Sequence, residues 1–193
     1  MRTARLEAFS DGVFAIAITL LVLDIGIPRH GEALGHVLTA QWAEYFAYVL
    51  SFVTVGIMWM NHHALLGHFA RADRAFLFLN VLFLMCIAFA PFPTALLAEH
   101  LHSTTAALAY GISFTATALM FNAIWHYGRR NLLRSDPDPR AVSGITRSYL
   151  PGPLLYGGSA LIAFASPEAS VGLYTAIAAI YVVSETVWGR AAE

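Results

Sequence analysis

The sequence predicts an all-α, polytopic membrane protein with six transmembrane helices and both termini in the cytoplasm. Three observations carry that expectation. The 193 residues are 58% hydrophobic and only 12% charged, with a mean hydropathy of +0.63, whereas a soluble domain carries about twice that charge. Apolar runs long enough to cross about 30 Å of hydrocarbon can be drawn six times, at 8–27, 42–66, 75–98, 103–127, 148–166 and 169–189. The arginines are lopsided. With six crossings from a cytoplasmic N-terminus, the inner segments hold Arg2, Arg5, Arg71, Arg74, Arg129, Arg130, Arg134, Arg140, Arg147 and Arg190, and the outer ones only Arg29, as the positive-inside rule requires. Residues 1–193 then form one six-helix transmembrane domain, and the expected location is the plasma membrane, crossed several times.

The first run, within RLEAFSDGVFAIAITLLVLDI (5–25), is bounded by Asp11 and Asp24. Thirteen helical steps, roughly 20 Å, separate the two acids. Arg2 and Arg5 ahead of an apolar run suggest a signal peptide, but Glu7 and Asp11 sit where one is basic, and no small-x-small site follows Leu23. Phe9, Ile16, Leu20, Leu23 and Ile27 fall on one helical stripe with Thr19 at its margin. For a generic first span such a stripe packs or meets lipid. Bracketed by acids, it also suits a dry throat between two hydrated, cation-attracting mouths.

The linker 28–41, with Arg29 and Glu32, is mixed, and the second run follows it. Its Thr54-Val55-Gly56-Ile57 resembles the start of a carbonyl selectivity filter but lies inside a continuous helix and lacks the Tyr-Gly. Its end, Trp59-Met60-Asn61-His62-His63, puts adjacent histidines about 100° apart. That is the wrong spacing for a shared metal, and structural hydrogen bonding is the simpler reading. Residues 67–74 carry Arg71, Asp73 and Arg74 into the third run, where Pro91 and Pro93 predict a kink. Cys86, the single cysteine, reads as packing. A tight turn with Glu99, His100 and His102 leads to the fourth run. Ser51, Thr54, Ser113, Thr115, Thr117 and Asn122 supply interhelical hydrogen bonds in the second and fourth. RRNLLRSDPDPR (129–140), with two helix-breaking Asp-Pro pairs, is the longest polar stretch. The fifth run, with PGPLLYGGSALIAFA, is short and rich in small residues; Pro167 and Glu168 mark the turn into the sixth. Trp42, Trp59, Trp125 and Trp188 suit interfaces.

A net charge of −1 provides no basic field for nucleic acid. No Ser-His-acid group and no phosphate loop can be assembled, so neither an enzyme nor a cofactor is expected. A small secondary or proton-coupled transporter, with the histidines as relay, is the competing reading of the residues.

Arg5-Leu6-Glu7-Ala8-Phe9-Ser10-Asp11 matches R-x-x-x-F-S-D. With the GVFAIAITLLVLDI that follows and the later WMNHH, it resembles the signature of the transmembrane protein 175 family, the lysosomal potassium channels and their bacterial single-repeat relatives. The resemblance implies a potassium channel without a classical pore loop, assembled in the bilayer as a homotetramer with the first helix of each subunit lining a central pore. It passes potassium and, to a lesser extent, other monovalent cations. It implies a hydrophobic constriction (a gate) at Ile16, with Leu20 and Leu23 outward of it, and cation coordination at Thr19. It also implies an inner network of Arg5, Phe9, Ser10 and Asp11 joined by His62 or His63. Asp24 would stand at the outer mouth, and Asp11 at the inner end, open to a structural role as well as an ionic one. Potassium is the permeant species, and no metal site is implied.

Overall fold

In a computed structural model the protein is all-helical; residues 3–28, 33–134 and 139–188 are described. In chain order the helices are α1 (Thr3–Leu20, continued by a 3-10 turn Leu21–Asp24), α2 (Leu34–Ala40), α3 (Trp42–Gly67), α4 (Arg74–Phe89), α5 (Pro91–Glu99), α6 (Thr104–Asn131), α7 (Pro139–Tyr149), α8 (Pro151–Ile162) and α9 (Pro167–Trp188). Arg2, Arg29, Glu32, Arg190 and the Asp-Pro stretch at 135–138 lie outside the described residues, as do the side chains of Arg140 and Trp188.

The expectation of six spans is overturned. Among the described residues, four helical segments are long and apolar enough to cross a membrane: Thr3–Asp24, Trp42–Gly67, Arg74–Glu99 and Thr104–Asn131. The run at 148–166 is broken. A polar-faced helix ends at Tyr149, and α8 is only 12 residues, about 18 Å at 1.5 Å per residue against about 30 Å of hydrocarbon. One face, with Tyr156 and Ala160, belongs to the core and packs along α6, while Leu154, Leu155, Leu161 and Ile162 are exposed on the rest. In the last helix the apolar stretch among the described side chains is Pro167–Val183, about 25 Å against about 30 Å of hydrocarbon.

Four segments set the frame. α1 lies against α3 and α4, α3 against α5, and α6 against α4, α5 and α8. At Pro91 the third span changes helix: Ala90 separates α4 from α5, and the Thr94 hydroxyl, 2.9 Å from the Ala90 carbonyl, helps satisfy a group beside the proline. The turn after α3 is tied to the end of α6 by a two-bond bridge, Ala70 N–H to Leu132 O at 2.9 Å and Arg134 N–H to His68 O at 3.2 Å. The ring of Phe69 in this turn approaches Gly128 so closely that a Cβ there would strike it, so glycine lets the ring approach. Asp73 caps α4 by accepting the Phe76 amide at 2.9 Å and also accepts the Tyr127 hydroxyl at 2.7 Å. These donors, the Phe76 amide first, hold its carboxyl below the ordinary carboxylate value.

Deeper in, Ser51 lies 2.8 Å from the Thr94 hydroxyl and 3.2 Å from that of Tyr110. The Tyr174 hydroxyl donates to Ala107 O at 3.0 Å across Gly111. These are the interhelical bonds that spans without a strong hydrophobic drive between helices rely on. Cys86 is half-buried on α4.

Candidate functional site

The site is built on the two faces of α1. Leu6, Ser10, Phe14, Ala17 and Leu21 recur every three or four residues and are buried; they pack this helix onto its neighbours. The opposite face is left uncovered by the described residues: Phe9 is 58% exposed, Ile16 62%, Leu20 40% and Leu23 72%. Gly12 and Thr19 open onto the same side. After Leu20 the helix tightens into the 3-10 turn Leu21–Asp24, which carries the exposed Leu23. The Thr19 hydroxyl donates to Ile16 O at 2.9 Å, which spends its proton and leaves its oxygen lone pairs for another partner. Asp24 is exposed at the end of the turn, within electrostatic range of Glu99. Gln41, ahead of α3, holds the following backbone by donating to Gly26 O at 2.9 Å.

The buried face is pinned by a directional chain of hydrogen bonds. Ser10 donates to Leu6 O at 2.8 Å, so its oxygen is left to accept the Asn80 amide at 3.1 Å. That orientation turns the Asn80 carbonyl towards His62 Nε2, 2.7 Å away, which must therefore carry the proton. Ser10, Asn80 and His62 are all buried, and the His62 ring stacks on Phe83 at 5.2 Å. Nearer the surface, Trp59 Nε1 donates to Asp11 at 2.8 Å, and His63 Nδ1 meets the Glu7 carboxylate at 2.9 Å.

Both histidines therefore reach α1, by different partners. Of the residues expected in the inner network, Ser10, Asp11, His62 and His63 are brought to one place. Phe9 and Arg5 point away; Arg5 is exposed and forms no ion pair with another described residue. Asn80, Trp59 and Glu7 are anchors not singled out for this role in the sequence. The signal for Asn80 was available: a lone amide in the apolar run RAFLFLNVLFLMCIAF faces a bundle interior. Thr54, in the filter-like stretch, donates to Leu50 O inside an unbroken α3. Among the described residues no group of three or more His, Cys, Asp or Glu could hold a metal.

Residues 5–91 match the family profile described as the endosomal/lysosomal potassium channel TMEM175. A potassium channel of Streptomyces collinus is 44% identical over 93% of this chain and 91% of its own length. One of Chamaesiphon minutus is 45% identical over 89% of each. The crystal structure of a lysosomal potassium-selective channel TMEM175 homolog from Chamaesiphon minutus superposes with a TM-score of 0.85 at 41% identity, over 94% of this chain and 97% of that one. With the R-x-x-x-F-S-D segment seated on α1 and relatives this similar along nearly their whole length, the chain belongs to the TMEM175 family, whose members are ion channels and not enzymes.

Proposed function

We propose that the protein is a potassium channel of the cell membrane, formed by four copies whose α1 helices surround a central path. The observation that carries this reading is the uncovered face of α1: a bulky aliphatic stripe stays exposed while the opposite face is locked by packing and hydrogen bonds. A single α1 cannot enclose a pore, whereas a closed symmetric ring buries the stripe of every copy against an axis.

In that arrangement Ile16 forms the narrowest ring, with Leu20 and Leu23 outward of it and Asp24 at the mouth. A ring of aliphatic side chains offers no group to replace a cation's water, so it dewets when narrow and admits ions when wide. Thr19, between Ile16 and Leu20, presents oxygen lone pairs that substitute for part of the hydration shell. Asp24 concentrates cations at its end of the path. Potassium permeates best and other monovalent cations less well. No acid stands between Asp11 and Asp24 on α1, which argues against a carboxylate-coupled transporter.

The deciding experiment is reconstitution in a planar bilayer with a potassium/sodium gradient. Discrete unitary currents reversing towards the potassium potential are expected; slow, saturating transport without unitary steps would refute the channel.

A further inference from the structure

Five arginines converge where α3 ends, α4 begins and α6 ends. The backbone bridge joins residues 68–70 to residues 132–134, and the Tyr127 hydroxyl reaches Asp73 at 2.7 Å. Arg71 and Arg74 of the first segment therefore stand beside Arg129, Arg130 and Arg134 of the second. Arg129 is half-buried and the other four are exposed. None forms an ion pair with a described acid. Within residues 68–74 and 129–134 the only acid is Asp73, which already accepts from the Phe76 amide and Tyr127. Arg74 also stands against its own helix. It is the first residue of α4, where the helix dipole disfavours a cation. The positive-inside rule asks for arginines on one side of a membrane, but neither for this convergence nor for a cation at that position. Apolar stripes lead away from the cluster. On α4, Phe78, Val81, Met85 and Phe89 follow Arg74 at helical spacing and are exposed. On α6, whole helical turns separate Arg130 from the exposed Leu119 and Ile112.

We propose that this cluster binds the phosphate of an anionic phospholipid, with an acyl chain lying along the exposed stripe of α4. A guanidinium meets phosphate oxygens through paired N–H···O bonds, and these five have no carboxylate to occupy them. Depth is set by the spans: Arg74 opens one and Arg130 lies in the last turn of another, the level of the headgroups on either side of about 30 Å of hydrocarbon. Basic clusters immediately outside a span are the general form of such sites. A free anion would use the arginines and leave the stripe bare. An amphiphile uses both. The site rests on the chain's place in a bilayer and not on the path assigned to ions along α1.

The test uses the full chain in neutral detergent, titrated with phosphatidylglycerol or phosphatidylcholine and read as lipid adducts by native mass spectrometry. Phosphatidylglycerol should bind the more tightly. Arg74→Gln and Arg130→Gln should each weaken it about fivefold, the strength of one basic side chain at an anionic surface, and leave phosphatidylcholine unchanged. Both residues are exposed and unpaired with described acids, so the melting temperature should hold. Arg147→Gln, which removes the same charge from the exposed side of α7, should change little. Phe78→Gln should weaken phosphatidylglycerol by shortening the stripe, and inorganic phosphate should not displace the lipid. Equal binding of the two lipids, or wild-type affinity in both arginine variants, would overturn the proposal. So would equal losses in Arg74→Gln and Arg147→Gln (a diffuse field) or displacement by inorganic phosphate (a free-anion site). A Phe78→Gln that dissociates oligomers and spares lipid binding (a contact between copies) would overturn it as well.

Discussion

His62 of α3 and Asn80 of α4 share a 2.7 Å hydrogen bond in the buried interior, and the free side of the same amide reaches Ser10 of α1 at 3.1 Å. One asparagine thus fixes three spans against each other. The polarity is unambiguous, since each donor has one acceptor along the line from His62 to Leu6 O.

Replacing that amide tests the arrangement. Asn80→Ala leaves His62 Nε2–H and the Ser10 oxygen buried without partners, at about 1–3 kcal/mol for each unsatisfied group. We expect a clear fall in thermal stability of the purified channel. Removing both ends should be cheaper than the sum, because a buried polar group without a partner is the costly state. In a double-mutant cycle, Asn80→Leu with His62→Leu should therefore lose less than the two single variants added. Strict additivity would mean that the bond contributes nothing.

How much of this could be read beforehand depends on what each signal measures. Hydropathy counts apolar residues, and the four long spans announce themselves because their length exceeds what a buried helix needs. It cannot show where a helix starts, so the run around Tyr156 and Ala160, which the break after Tyr149 cuts to a 12-residue helix packed on α6, read as a fifth crossing. The stripe of Ile16, Leu20 and Leu23 was legible because helical periodicity is local. Asn80, Trp59 and Glu7 were not seen as anchors, since nothing within a helix states which neighbour it meets. For the same reason the choice between His62 and His63 stayed open until α3 was placed beside both Ser10 and Glu7.

At the opposite end from Asp11, His102 meets Glu168 at 2.7 Å, and Ser166 adds a second donor at 3.0 Å. The His102 hydrogen bond, chiefly, lowers the Glu168 carboxyl from an ordinary 4.5 to about 2. A carboxyl depressed in the folded state contributes stability that is complete above its unfolded value and is lost as pH falls through its folded value. Wild type should therefore lose more melting temperature than Glu168→Gln between about pH 4.5 and 2. Asp73 is depressed too, so only the difference between the two proteins reports this clasp. Parallel curves would deny it.

Thr19 offers a cleaner separation of selection from throughput. Its hydroxyl already donates to Ile16 O, so what faces the proposed path is an oxygen acceptor suited to cations. Thr19→Val keeps the shape and removes that oxygen. Potassium preference over sodium should drop, seen as a reversal potential moved towards zero under opposed gradients, with assembly unchanged. An unmoved reversal potential would take Thr19 out of the selection step.

Ile16 is the sharpest case, because its exposure fits two incompatible settings. At 62% exposed in one chain, it faces either lipid or an axis shared with three other copies. On an axis, a ring of isoleucines has no polar group, so dehydrating a cation there is costly and the ring limits current whatever ion is offered. Ile16→Asn would place amides in the throat, keep it wet, raise potassium flux from liposomes and loosen selectivity. Ile16→Phe would fill the same space and lower flux. Facing lipid, the order reverses: an amide in hydrocarbon destabilises the protein, and phenylalanine is harmless. Flux and melting temperature measured together on both variants distinguish the two. Raised flux with near-normal stability for Ile16→Asn places the residue on the axis. Wild-type flux in both variants would put the constriction elsewhere on α1.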